Sequence, residues 1–531
     1  MNTNTDFGET DPIAPRGDEV VSPPSWIGGV VGLSSGISAV STGLVVSALG
    51  DSQSSFDLVG GSFIDRTPRW LKELAIQAFG TNDKIALKVG MVGVLIIASG
   101  VLGLLSRKRL TPLQFGIVGF GILGALSAFE RDGAGFIAVI APLCGIFAGL
   151  FAAHRLHNYL TTQRELSRMP QQSRVPLGWD RRSFIRTVGA LGALSGGGVL
   201  FARSRELARV QQIEGLTKIP LPPLAVGDEL VVPKINFHPT DPYITPNTSF
   251  YRIDTALSFP RVDREKWKLR IHGLVEREKF FSMDDLLALP QVERIITLCC
   301  VSNQVGGPLI GNAVWRGVLL KDVLESCGIK KNAQQVFSTS LDGWTSGFPI
   351  TAAMDGRDAL IAIGMNGESL PIMHGYPARL VVPGLYGYVS ATKWLSEINI
   401  TTWAEEEGYW IPRGWSRDAP VKTQSRIDVP RQGESIAAGK FCLAGVAWAQ
   451  HTGIEKVEIR IDRGAWQACD LGVDLTEDAW RQWIFDWDAT EGEHTIQVRS
   501  TDKSGYTQTE EVRRVDPDGA TGWHTRTVTV I

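Results

Sequence analysis

Thr297-Leu-Cys-Cys-Val-Ser-Asn303, read with Leu370-Pro-Ile-Met-His-Gly-Tyr-Pro-Ala-Arg379 and Tyr388-Val-Ser-Ala-Thr-Lys-Trp394, decides the reading of this chain. A thiolate is a soft ligand, suited to soft or high-valent transition metals. His374, Arg379 and Lys393 supply a planar, a forked and a point-charge donor of the kind that holds heterocycle edges and phosphate. Each piece also has a plain reading. Cys299 fits a small buried hydrophobe, and Cys300 has no second cysteine at zinc spacing. His374-Gly375 suits an ordinary turn, and Arg379 an ordinary surface charge. The functional reading gains from all of them occurring together, in this order.

Working outward, Arg294-Ile-Ile-Thr-Leu298 reads as an apolar strand that delivers Cys300 at its end. Trp267-Lys-Leu-Arg-Ile-His-Gly273 alternates like a strand ending in a turn. Ser282 is placed to cap a short helix whose first turn holds Asp284 and Asp285. Gly317-Val-Leu-Leu-Lys-Asp-Val-Leu324 reads as the start of the next helix. Strands and helices in mixed order predict an α+β domain. From about Ala419 the pattern becomes all-β. Lys456-Val-Glu-Ile-Arg-Ile-Asp462, His494-Thr-Ile-Gln-Val-Arg499 and Thr525-Arg-Thr-Val-Thr-Val530 alternate, and Gly464 and Gly505 mark turns, which predicts a β-sandwich. Cys442 and Cys469 leave two readings open, an intersheet bridge or two buried thiols, and the six cysteines form no disulfide framework.

At 531 residues the chain should hold several domains, and a net charge of −3 gives no reason to expect nucleic-acid binding. Its first two hundred residues carry long apolar runs. Trp26 to Leu49, Ile85 to Leu105, Leu113 to Phe129 and Gly133 to Ala153 are candidate membrane helices, and the shorter Val188 to Ala202 is a fifth. A bilayer asks for about 20 apolar residues per helix. Arg107-Lys108-Arg109 and the arginines from Arg155 to Arg186, Arg168 and Arg174 among them, place the second and fourth connections in the cytoplasm. Everything after Ala202 then lies outside. The connection with Arg66, Arg69, Lys72 and Lys84 opposes this mildly. Arg181-Arg182-Ser183-Phe184-Ile185-Arg186 before the fifth run looks like an internal twin-arginine signal, with simple positive-inside arginines as the alternative. Pro220, Pro222, Pro223, Pro233, Pro239, Pro242 and Pro246 predict an extended connector, and the polar first twenty-five residues a disordered tail.

The quoted segments resemble the sulfite-oxidase family of molybdenum enzymes, over roughly Asn247 to Ile531. The continuation Gly375 to Trp394, centred on Val-Pro-Gly-Leu-Tyr-Gly, carries most of the likeness, joined by Gly445-Val-Ala-Trp448 and Val457-Glu-Ile-Arg-Ile-Asp-Arg-Gly464. The resemblance implies a molybdenum–molybdopterin cofactor whose dithiolene supplies two sulfurs and whose protein ligand is Cys300. It implies that Phe250, Tyr251 and Arg252 lie near the cofactor, that Asp342 is a pterin contact or a plain turn residue, and that His374, Arg379, Ser390, Thr392 and Lys393 hold pterin and phosphate. Arg252 is the cation expected beside the reacting position.

The organisation this implies is multidomain. A tail (1–25) leads to a helical membrane region (26–202) and a Pro-rich linker (203–245). An α+β molybdopterin domain (246–410) and an Ig-like β-sandwich (411–531) follow. The expected activity is two-electron oxygen-atom transfer on a small substrate outside the cytoplasm, by a multi-pass protein of the cell membrane. Because relatives often dimerise through the last domain, a homodimer is one expectation. Two arginines found after the ligand cysteine in animal sulfite oxidases are Gln304 and Val305 here, and the expected tyrosine is replaced within Tyr409-Trp410-Ile-Pro-Arg413-Gly-Trp415. That loss of charge keeps open an S- or N-oxide reductase, methionine sulfoxide included. A silent membrane scaffold is the rival from another class. No haem is expected, since His154 and His157 alone do not make a paired-histidine site. A separate electron-transfer partner is therefore required.

Overall fold

Each apolar run of the N-terminal region forms a helix in the computed structural model, which describes residues 24–531 apart from 69–70, 72–73, 75–77, 80–82, 132–134, 167–180, 217–219, 226–241 and 261. Nearly all of the tail expected over 1–25, together with Arg69, Lys72, Arg168, Arg174, Pro233 and Pro239, lies outside the described residues. The helices are α1 (Ile27–Leu49), α2 (Ser55–Arg66), α3 (Asp83–Leu105), α4 (Thr111–Phe129), α5 (Gly135–Leu166) and α6 (Arg181–Leu216). The short α2 was not anticipated. Its start is set by Ser54, whose hydroxyl accepts from the Asp57 amide at 3.1 Å and donates to the Asp57 carboxylate at 2.8 Å. The linker expected to be extended from residue 203 is instead helical as far as Leu216. The first proline of the run is Pro220, so every earlier residue keeps its amide for the helix.

The chain forms two compact units, one of the long helices and one of everything from Glu206 onward with the segments Gly61–Lys84 and Arg131–Gly133. In the first, α1 runs along α5. Gly32 and Gly103 let the backbones of α1 and α3 touch, and Ser41 Oγ donates to the Ser195 carbonyl at 2.8 Å. Ile97, Phe115, Phe147 and Leu194 point outward. Five of these helices are long and apolar enough to cross a membrane.

The second unit begins with β1 (Lys268–Gly273), β2 (Lys279–Ser282), α7 (Met283–Ala288), β3 (Val292–Cys299) and β4 (Ile310–Leu319). It continues through α8 (Leu320–Cys327), β5 (Gln335–Ser340), β6 (Thr345–Pro349), α9 (Ile350–Met354) and β7 (Leu360–Met365). Then come β8 (Glu368–Ser369), β9 (Arg379–Val381), α10 (Gly387–Ser390) and β10 (Leu395–Thr401). One sheet has the order β2-β1-β10-β5-β6, and the other β3-β4-β7-β8 with β9 against β7. The expected cap is present as a full capping box, with Ser282 and Asp285 bonding reciprocally. The helix expected from Gly317 starts three residues later, because Gly317 to Leu319 still pair with β7. Ile295 to Cys299 are buried without a break, as a strand covered on both faces must be.

The remainder is a β-sandwich. Its strands are β11 (Gln424–Val429), β12 (Ser435–Ile436), β13 (Gly439–Trp448), β14 (Ile454–Ile461), β15 (Gln467–Ala468), β16 (Asp470–Leu471), β17 (Arg481–Ala489), β18 (Gly492–Asp502) and β19 (His524–Val530). Sheets β11-β13-β17-β16 and β12-β19-β18-β14-β15 close over Ile427, Leu443 and Trp483 from one side and Val457, Ile459 and Val498 from the other. Cys442 and Cys469 are free thiols, which resolves the choice the sequence left open.

Candidate active site

The strand β3 ends at Cys299, and Cys300 opens the loop to β4. This loop is pinned at its base. The Cys300 amide donates to Leu309 O at 3.0 Å, the Asn303 amide returns to Cys300 O at 3.0 Å, and Asn303 Oδ1 accepts from the Leu309 amide at 2.8 Å. Cys300 is buried, which pushes its thiol up, while hydrogen bonds from Ser302 oppose the shift.

Tyr251, which feels the charge of this thiol, belongs to a wall of aromatic and cationic groups. Phe250 stacks on Tyr251 with centroids 5.2 Å apart and meets Trp315 and His374 edge-on at 5.7 and 5.6 Å. The Tyr251 hydroxyl is pushed up by burial first and then by the charges of Cys300 and Cys299, while Arg379 pulls it down. Tyr251 thus sits within the electrostatic reach of both the thiol and the guanidinium.

His374 closes a single 3₁₀ turn, and its Nε2 donates to Asn247 O at 2.8 Å. Burial, with Arg379, Lys393 and Arg252 adding to it against the Asn247 bond, takes its imidazole down to about 4. The ring is therefore neutral at physiological pH, with Nδ1 as an acceptor. Gly375, at φ +114°, follows in a conformation that side chains avoid. A Cβ there would come within 3.1 Å of both Arg379 and Lys393, so the turn packs directly on the two cations.

Arg379 lies on β9, 5% exposed, its guanidinium 4.9 Å over Trp315. It donates to His374 O at 3.0 Å and, more weakly, to Ala391 O and Leu380 O at 3.4 Å. Among the described residues no carboxylate pairs with it. Burial brings it down to about 10. A buried cation satisfied only by carbonyls is costly unless an anion is to arrive.

Lys393 is treated differently. Its Nζ donates to Asp254 Oδ2 at 2.6 Å and to Met373 O at 3.3 Å, 4.8 Å over the Trp394 ring. Burial takes it down to about 8, with Asp254 opposing and the two arginines assisting. Asp254 also receives Arg252 Nε at 2.8 Å and Nη2 at 3.2 Å, and pairs with Lys84 of the same unit. Burial would raise its carboxyl, but Lys393, Lys84 and Arg252 hold it well below the usual carboxylate range. Arg252 rests on the Phe259 ring at 4.4 Å.

Of the residues expected at the site, Cys300, Phe250, Tyr251, Arg252, His374, Arg379 and Lys393 come together in this way. Thr392 and Ser390 are buried, but their hydroxyls face protein. Thr392 Oγ1 lies 2.8 Å from both Ser338 Oγ and Ser346 Oγ, and Ser390 Oγ donates to Tyr386 O at 3.1 Å. Asp342 Oδ1 accepts from the Trp344 amide at 3.1 Å, a turn bond, beside Trp394, whose carbonyl accepts from Leu341. Reading the sequence missed Asp254, Trp315 and Asn303. Asp254 had a signal, an acid two residues beyond an expected cation. Trp315 had none, because only the β4–β7 and β7–β9 registers bring it under Arg379.

The family described as oxidoreductase molybdopterin binding domain matches residues 256–410. The mitochondrial sulfite oxidase of Homo sapiens is 29% identical over 291 residues, 46% of this chain and 53% of its own length. An uncharacterized oxidoreductase of Bacillus subtilis (strain 168), YuiH, is 35% identical over 153 residues, 29% of this chain and 74% of that one. The sulfite oxidase of Arabidopsis thaliana is 30% identical over 271 residues, 42% of this chain and 68% of its own. The chain belongs to the sulfite oxidase family of molybdopterin oxidoreductases. As a member of the sulfite oxidase family it is an enzyme, and its cofactor is molybdenum–molybdopterin. It spans about half the length of the animal sulfite oxidases it matches. The cluster fits such a group: a neutral imidazole acceptor, a buried guanidinium without a counter-anion among the described residues and a second buried cation suit a pterin that carries phosphate.

Proposed function

We infer that this chain is a membrane-anchored oxidoreductase that transfers an oxygen atom to or from a small substrate, with its catalytic unit outside the cytoplasm. The observation that carries the reading is Arg379, buried, stacked on Trp315 and lacking a carboxylate among the described residues. Arg379 and Lys393 hold the phosphate of the cofactor, His374 receives a donor from the pterin edge, and Phe250 with Tyr251 walls off water. Cys300 supplies the protein's sulfur to the metal. Bound there, the cofactor supplies two-electron oxygen-atom transfer. The anchor is supported by the five long apolar helices with their outward Ile97, Phe115 and Leu194. The outward orientation rests on the loop arginines and on the Arg181-Arg182 entrance to α6. Electrons pass to or from a separate partner, and the C-terminal sandwich is read as the Ig-like domain of the family.

A reductase of S- or N-oxides is favoured over sulfite oxidation by one set of contacts. Arg252, the cation expected to receive an anionic substrate, is already tied to Asp254. The loop after Cys300 carries Gln304 and Val305, while after burial Cys299 and then Asp518 raise the hydroxyl of Tyr386, and Asp518 raises that of Tyr388. This surrounding suits a neutral oxide better than an oxyanion. The test begins with the molybdenum and pterin content of full-length protein from a host that makes the cofactor. Spectra of the metal centre on adding sulfite or a sulfoxide follow. Absence of both metal and pterin would sink the enzyme reading, and a response to sulfite alone the oxide reading.

A further inference from the structure

We propose that Arg426, carried by the first strand of the C-terminal β-sandwich, is a positioning residue that clamps the Cys300 loop from the far side. The proposal rests on reading Cys300 as the metal ligand. Its basis is geometric. Arg426 is 7% exposed, and Nη1 donates to Gly307 O at 3.1 Å, across the domain boundary in sequence. Nε donates to Asp428 Oδ1 at 2.5 Å, and Asp428 itself is almost fully buried. The guanidinium lies 6.0 Å over the Trp480 ring. Only a planar fork reaches the carboxylate and the carbonyl at once, so a lysine would lose one of them.

The same face of the sandwich holds the strand that leads into the loop. The Thr297 amide donates to Asp478 O at 2.9 Å, and the Trp480 amide donates to Thr297 Oγ1 at 2.8 Å. Beneath the loop lies His524, whose Nδ1 accepts from the Ile427 amide at 2.9 Å. Gly306, at φ +75°, leaves no room for a Cβ against that ring. Cys300 therefore sits between two anchors, Thr297 before it and Gly306–Gly307 after it, both gripped by the sandwich. The loop's own bonds close its base but do not fix its direction. The sandwich fixes that, so it acts on the thiol as well as on any association between chains.

The full-length chain in detergent tests this, prepared without cofactor and, separately, loaded with it. In cofactor-free protein the readout is the rate at which iodoacetamide alkylates Cys300, located by fragment mass spectrometry apart from Cys299. Arg426→Met should speed it about tenfold, the scale of one lost charge-assisted hydrogen bond. Arg426→Lys should fall between, and Arg460→Met, on the same sandwich over Trp466 and Trp523, should leave it unchanged. In loaded protein the thiolate-to-metal absorption band should shift in Arg426→Met while the metal content stays within the wild-type range. An unchanged alkylation rate together with an unchanged band would overturn the proposal. Should Arg426→Met fail to fold, Asp428→Asn, which releases the fork without removing it, is judged by the same two readouts. If loaded wild type holds no molybdenum, the ligand reading fails, while the alkylation rates still decide the clamp.

Discussion

Lys393 Nζ and the Asp254 carboxylate stand 2.6 Å apart, both nearly sealed from solvent, while Arg379 on the same wall has no acid among the described residues. The site thus divides its cations in two. One is neutralised by its neighbour Asp254, and on the proposed function the other is met by the charge of the cofactor.

Asp254→Asn should leave Lys393, nearly sealed from solvent, and the partly exposed Arg252 with uncompensated charge. Breaking a buried pair by removing one partner costs on the order of 3 kcal/mol, though Lys84 and Arg252 are partly wet and will soften this. Thermal unfolding of cofactor-free protein should show the loss, and millimolar inorganic phosphate should restore more stability to the variant than to wild type. The sign with pH follows from the depressed carboxyl. Its contribution is present above the unfolded value near pH 4 and fades as pH falls below it.

Arg379→Met should behave in the opposite way. Removing a buried cation that only carbonyls satisfy should stabilise cofactor-free protein by about 1–2 kcal/mol. The same change should abolish retention of pterin. Melting curves beside pterin fluorescence after extraction check both, and a variant that keeps its pterin would refute the role given to Arg379.

His374 gives a pH signature. Its folded value of about 4 lies below the unfolded value of about 6.5, so the unfolded chain takes up the proton first. Stability should be complete above pH 6.5 and decline between 6.5 and 4, by up to about 3 kcal/mol. His374→Gln should flatten that part of the stability profile, as followed by urea unfolding across the pH range.

The two adjacent cysteines should separate cleanly. Cys300→Ser should retain pterin and lose activity, whereas Cys299→Ser, the last residue of β3 and packed in the core, should retain metal, pterin and activity. Metal analysis and pterin quantification on the two variants make the comparison, and equal effects would mean that the ligand is misassigned.

Much of this site was legible in the sequence because its donors cluster in short stretches whose local rules suffice. Strand β3 was visible as an apolar run with Cys300 at its end, and the cap at Ser282 as a serine before two acids. Ser390 and Thr392 show the limit. They neighbour Lys393 in the chain, yet their hydroxyls bond to Tyr386, Ser338 and Ser346. The helix that runs on to Leu216 shows another limit. Prolines mark where a helix must end, and they say nothing about where it will continue before them.

By itself the sequence determined the apolar spans, several strands, the cap at Ser282 and the chemical types carried by the segments around Cys300, because periodicity, capping and side-chain chemistry are properties of neighbouring residues. The tertiary structure alone decided which cation is paired and which is not, that Trp315 lies under Arg379, and that Arg426 of the sandwich reaches the loop of another domain. Those relationships depend on strand register and on contacts between residues from dozens to more than a hundred positions apart. Burial then gives each charge its cost, and no local pattern in the chain records which charges will be buried together.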